Sequence, residues 1–209
     1  MIGAGDGVRR VELLVRYRED DGSLAAPGAF LEVAEQTGLI GGIDRWMIRQ
    51  AAGLILSARE PLQVAVNVSA QTFVDPALPR FIDTVFGRGI PDGVLLIEVT
   101  ETAALADAEA VAAIADALHL RGCRVALDDF GSGFATFAHL GFLRFDVLKV
   151  DGTTLAVLAE WVWTTPRATC SAVLARRRRC SGRAGRRSLS HAVRLRVPGN
   201  FVTLTRRGT

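Results

Sequence analysis

Three observations predict an α/β fold built on a parallel sheet. Apolar, β-prone runs alternate with helical patterns from Val8 to Asp151. The runs are apolar almost throughout, as strands covered on both faces must be. Finally, a polar residue recurs on or at the C-terminal end of each of five strands: Glu12, Asn67, Glu98, Asp128 with Asp129, and Lys149. Parallel barrels and open α/β sheets build their sites at that end.

In order, Val8 to Tyr17 reads as a strand with Glu12 set in an apolar stretch, and Asp20-Asp21-Gly22-Ser23 as a turn. Pro27 opens a helix whose stripe is Phe30, Leu31, Val33, Ala34 and Leu39. A second helix from Ile43 to Ser57 offers Trp46, Met47, Ile48, Ala51 and Leu54 as its apolar face. Leu62 to Ser69 is a strand, Pro76 to Arg88 a helix, and Val94 to Val99 a strand. An alanine-rich helix, Ala106 to Arg121, leads to the Arg124 to Asp128 strand. Thr136 to Leu143 reads as a short helix and Phe145 to Val150 as the fifth strand.

The chain of 209 residues is 49% hydrophobic and 22% charged, which are globular values. No apolar run approaches the roughly 18 residues needed to span a membrane. Met1 to Gly7 lacks both a basic and an apolar leader segment, so no secretory signal is expected. Three cysteines in no ligand or disulfide pattern fit a reducing cytoplasm. The net charge of +3 hides a division. Through Asp151 there are 13 basic and 21 acidic residues, whereas from Gly152 there are 12 arginines against Glu160 alone. Two parts are therefore expected: residues 1–151 as the domain, and 152–209 as an irregular arginine-rich tail, disordered or translated out of frame, with one weak β-like stretch from Ala192 to Val197.

Clustered carboxylates cannot stay ionised and dry without cations. Oxygen donors without His or Cys favour Mg²⁺ or Mn²⁺ over zinc. Asp128 and Asp129 end a strand ahead of a glycine-rich turn, so their side chains point different ways and can serve more than one ion. Lys149 is the only lysine beside 24 arginines. A position kept against that bias wants a compact point charge, or is merely an exposed strand end.

These residues occur in a recognisable set. Glu12-Leu13-Leu14-Val15-Arg16, the Pro27 to Ile40 helix, Asn67-Val68-Ser69, Glu98-Val99-Thr100-Glu101, Asp128-Asp129-Phe130-Gly131-Ser132-Gly133 and Leu148-Lys149-Val150-Asp151 stand in one order. The chain from about Arg9 to Asp151 resembles the EAL-domain family of cyclic-di-GMP phosphodiesterases, with leucine at the motif's alanine. The resemblance implies an incomplete TIM-type (β/α) barrel. It also implies that Glu12, Asn67, Glu98 and Asp128 hold one divalent ion, Mg²⁺ or Mn²⁺, while Asp128 and Asp129 share a second. Lys149 would orient the attacking water, Glu101 would steady the loop beginning at Phe130, and Arg16 would touch a substrate phosphate. The implied reaction is two-metal hydrolysis of cyclic-di-GMP to the linear dinucleotide. A homodimer is left open.

Past Gly152 the resemblance stops. The family's later glutamate motif, which completes the second ion's shell, and its late glutamine have no match, nor does its opening strand. Two functions follow: a metal-dependent phosphodiesterase, or a nucleotide-binding remnant without turnover in cyclic-di-GMP signalling. A nucleic-acid-binding arm is disfavoured, because the arginine runs lack interleaved aromatics. Five strands would leave two open sheet edges and a marginal, aggregation-prone chain. A sharp cooperative melt of the purified chain would contradict that.

Overall fold

Successive side chains of a strand point to opposite faces, so each apolar run must satisfy two surroundings at once. In the computed structural model of the chain, the described residues are 9–87, 89–130, 145–150, 172–173, 192–197 and 200–206. Five parallel strands form the half-barrel: β1 (Arg9–Leu13), β4 (Leu62–Asn67), β5 (Leu95–Thr100), β6 (Arg124–Phe130) and β7 (Val147–Val150), hydrogen-bonded in that order. Their register runs in step, with Val11 beside Val64, Val66 beside Ile97 and Ile97 beside Val125. The outer face (Val64, Val66, Leu95, Ile97, Val125, Leu127, Leu148) is buried against the helices. On the inner face Ala65, Leu96 and Ala126, with Val147 packed against them, make a separate small layer.

Between the strands lie α1 (Pro27–Gln36), α2 (Ile40–Ser57), α3 (Ala70–Phe73), α4 (Leu78–Phe86), α5 (Glu101–Ala106) and α6 (Ala108–His119). Pro27 stands in the first turn of α1, where its missing N–H costs no hydrogen bond. Gly38 ends that helix at φ +72°, and the Leu39 N–H returns to Ala34 O at 2.8 Å. Leu39 therefore leaves the α1 stripe on which periodicity put it and caps α2, exposed to solvent. Met47, Ile48 and Ala51 are buried as expected, whereas Trp46 and Leu54 remain half exposed. The expected turn joins β2 (Tyr17–Arg18) to β3 (Leu24–Ala25), held by the Ser23 N–H donating to Asp21 Oδ1 at 2.8 Å. The expected helix from Thr136 to Leu143, and Asp151, lie outside the described residues.

The tail contributes to the sheet. The β-like stretch Ala192–Val197 forms β9, and β10 (Asn200–Arg206) pairs with it in antiparallel fashion. β8 (Ala172–Val173) lies beyond β9. β10 runs parallel to β7, from Thr203 beside Val147 to Arg206 beside Val150. The β7 edge, which five strands alone would leave open, is thus covered by backbone pairing. Among the described residues, no helix is long and apolar enough to cross a membrane.

Polar contacts fasten the sheet at the N-terminal ends of its strands. Arg10 Nε donates to Gln63 Oε1 at 2.9 Å, and Gln63 Nε2 donates to Gly93 O at 2.5 Å. Asp146 Oδ2 accepts from the Val125 N–H and meets His119 Nε2, both at 2.8 Å. Ile97, on the central β5 and fully buried, is the test of the layer between sheet and helices. Ile97→Ala should lower unfolding free energy by about 2–5 kcal/mol in urea titration.

Candidate functional site

The inner face changes character along the strands. Beside and beyond the Ala65, Leu96 and Ala126 layer it carries Glu12, Asn67, Glu98, Asp128 and Lys149, one from each of the five strands. Each lies two residues from a small or apolar inner-face position or at an equivalent register level, as the pleat requires. Glu98, Asp128 and Lys149 are 1%, 2% and 4% exposed.

Lys149 is the centre of this group. Its ammonium donates to Glu98 Oε2 and lies 3.4 Å from Glu12 Oε2 and 3.7 Å from Asp128 Oδ2. Asn67 Nδ2 donates to Glu12 Oε1 at 3.0 Å. Burial pushes the Glu98 carboxyl up to about 7, against the pull of Lys149, with Glu12 and Asp128 adding to the rise. Burial opposes the charge on Lys149 as well. There the neighbouring Glu98, Asp128 and Glu12 carboxylates outweigh it, and the amine is held above its ordinary value. Lys149 is therefore the fixed charge, and Glu98 is the group that exchanges its proton near neutrality.

Asp129 follows at the end of β6, where the pairing with β7 shifts register between Leu127 and Phe130. It has φ +56°, a left-handed conformation that aspartate tolerates better than most residues, and its N–H donates to Asp128 Oδ1 at 2.9 Å. The ladder is thus interrupted at the two acids and resumes with Phe130 beside Val150. Glu101 opens α5 directly after β5, 2% exposed, in a first turn whose free N–H groups favour a carboxylate. Arg16 sits instead on the exposed turn after β1, its guanidinium donating to Val15 O at 2.8 Å. It borders a cavity of about 380 Å³ shared with Trp46 and Gln50.

Asp44 was not legible as a site residue, because it lies inside the α2 pattern. Buried at 5% exposure, it accepts from the Ser69 N–H at 3.1 Å and from Ser69 Oγ at 2.6 Å. Ser69 Oγ in turn accepts from the Thr72 N–H and caps α3. Burial raises the Asp44 carboxyl above its ordinary value despite those bonds. The readable signal was Ser69 three residues before Thr72, a capping pattern. Asp44 and Asn67 both line a cavity of about 510 Å³ walled by Leu13, Val15, Ile40 and Met47. An apolar cavity of this size with a few polar groups is the common form of a small-molecule site.

The donor set suits a hard divalent cation: carboxylates and an amide towards the ends of adjacent strands, Glu98 and Asp128 buried and Glu12 and Asn67 partly so. Among the described residues, however, no three carboxylates stand as a ready cation cage. The acids are spread around the Lys149 ammonium instead.

The raised Glu98 value carries a pH dependence. Its folded-state value of about 7 exceeds its ordinary value of 4.5. The stability contributed by its proton is thus full below about 4.5 and is lost as pH rises through about 7. In chelator-treated buffer the melting temperature should fall between pH 5 and 7.5, and Glu98→Gln should flatten that slope; equal slopes would assign the proton elsewhere.

Comparison with known proteins identifies the family. The EAL domain family model matches residues 2–164. The bifunctional diguanylate cyclase/cyclic di-GMP phosphodiesterase MucR of Pseudomonas aeruginosa is 33% identical over 155 residues, covering 72% of this chain and 23% of the relative. Cyclic di-GMP phosphodiesterase PdeF of Escherichia coli is 31% identical over 146 residues, covering 68% and 20%. The chain thus spans about a fifth of the length of these curated relatives. The structure of the FimX EAL domain of P. aeruginosa bound to c-di-GMP superposes with a TM-score of 0.67 at 26% identity, covering 74% of this chain and 64% of that one. With most of its length matched by the family model, the chain belongs to the EAL-domain family.

Proposed function

We propose that this chain binds cyclic-di-GMP and hydrolyses it to the linear dinucleotide with two divalent ions, Mg²⁺ or Mn²⁺. The observation that carries the reading is the meeting of Glu12, Glu98 and Asp128, from three different strands, about the one lysine of the chain. Relatives named as cyclic di-GMP phosphodiesterases and a FimX domain bound to c-di-GMP support the substrate class.

In this reading Glu12, Asn67, Glu98 and Asp128 would hold one ion, and Asp128 with Asp129 would share the second. Bound there, the ions would polarise the scissile phosphate and lower the pKa of water. Lys149 would orient the attacking water through its ammonium, and Glu101 would steady the segment beginning at Phe130. Arg16, on the rim, would meet a non-reacting phosphate by bidentate hydrogen bonding. The apolar cavity beside Asn67 suits one base of the dinucleotide, with Asp44 and Ser69 among its polar lining.

A second reading rests on the sequence itself. Residues 152–209 hold a single acid, Glu160, and no counterpart of the family's late glutamate motif. A chain lacking that glutamate would bind the nucleotide without turning it over.

Hydrolysis of cyclic-di-GMP by the full chain with Mn²⁺, followed by chromatography of the linear product, tests the proposal. Asp128→Asn should reduce turnover at least about 100-fold, since Asp128 serves both ions. Binding without turnover in the parent chain would select the second reading.

A further inference from the structure

Three features of the acid cluster remain unexplained by its part in hydrolysis. First, the ammonium of Lys149 is placed among the carboxylates, not beside them: it donates to Glu98 and lies 3.4 Å and 3.7 Å from Glu12 and Asp128. Second, Asn67 Nδ2 donates to Glu12 Oε1 at 3.0 Å, so this carboxylate too is answered by an N–H donor. Third, the acids do not form a cation cage among the described residues. In all of this, N–H donors supply the counter-charge to the acids.

We infer that Lys149 is an internal stand-in for the cation: it closes the acid cluster in the ion-free chain and must leave the acids when a divalent ion enters. This rests on the reading of the cluster as a cation site.

The physical grounds are charge and reach. Glu98 and Asp128 are almost wholly removed from solvent, and Glu12 joins them from β1. Three carboxylates so placed repel one another, and water cannot screen them. A single ammonium is the smallest protein cation that can touch all three, which a planar guanidinium cannot do from one point. The chain has one lysine and places it there. A divalent ion would need the same oxygens at roughly 2.0–2.2 Å. It cannot share them with an ammonium at hydrogen-bonding distance from Glu98, so ion and ammonium exclude each other. With an ion held by these oxygens, the Lys149 ammonium would have to give up its bond to Glu98. The residue proposed to orient water becomes available only once an ion is present.

Because Lys149 is the only lysine, the full chain grown with [13Cε]-lysine has one side-chain signal, and the α-amine is unlabelled. Mg²⁺ should move that signal saturably, over the concentration range in which free Mn²⁺ is depleted in a parallel paramagnetic-resonance titration. NaCl at matched ionic strength should not move it. Lys149→Met should bind Mn²⁺ about tenfold more tightly than the parent, the gain expected if the open form is about one-tenth populated. Mn²⁺ binding to the parent with an unmoved lysine signal would overturn the inference, as would a folded Lys149→Met chain that binds no more tightly. If neither chain binds Mn²⁺, the cation reading itself falls and takes this inference with it. The parent measurement stands alone should Lys149→Met fail to fold.

Discussion

Buried carboxylates without a counter-charge are among the costliest arrangements a sheet can hold, and the inner face of this half-barrel is organised around avoiding that. Glu98 and Asp128 are nearly inaccessible, Glu12 stands beside them, and one ammonium answers all three. The parallel arrangement of β1, β4, β5, β6 and β7 brings the C-terminal ends of all five strands to one rim. The apolar layer of Ala65, Leu96 and Ala126 beneath it keeps water from entering below.

Much of this could be read from residue order. Strands buried on both faces show as continuous apolar runs, and the polar residue that ends each run is conspicuous against them. The five strands, the α2 and α6 helices and the positions of Glu12, Asn67, Glu98, Asp128 and Lys149 at strand ends were legible for that reason. Leu39 was misplaced because periodicity ran through Thr37-Gly38, where a left-handed glycine stops the helix. Trp46 and Leu54 belonged to the apolar pattern of α2 but cover no described neighbour fully, since a stripe records amphipathicity and not which side is filled. Asp44 escaped notice because a buried acid within a helix looks like any surface acid until its partner, Ser69, is known. The pairing of β10 with β7 was equally hidden. Register between strands separated by about 50 residues is set by backbone bonding, to which arginine-rich composition gives little guide.

The two ends of the sheet are held by different means. The rim depends on charge balance among acids and an amine. The opposite end depends on separate hydrogen bonds, such as Gln63 donating to the Gly93 carbonyl and the Val125 N–H donating to Asp146. A change of ionic state at the rim, through a proton on Glu98 or an ion among the acids, is separated from that fastening by an apolar layer.

The Asp146 clasp, joining α6, β6 and β7 beneath the site, has an evolutionary consequence. A scaffold anchored at the end remote from its chemistry tolerates loss of the chemistry. Substitutions at the rim that keep its charges balanced leave that remote fastening intact. Such changes can accumulate one residue at a time while the same strands remain in register.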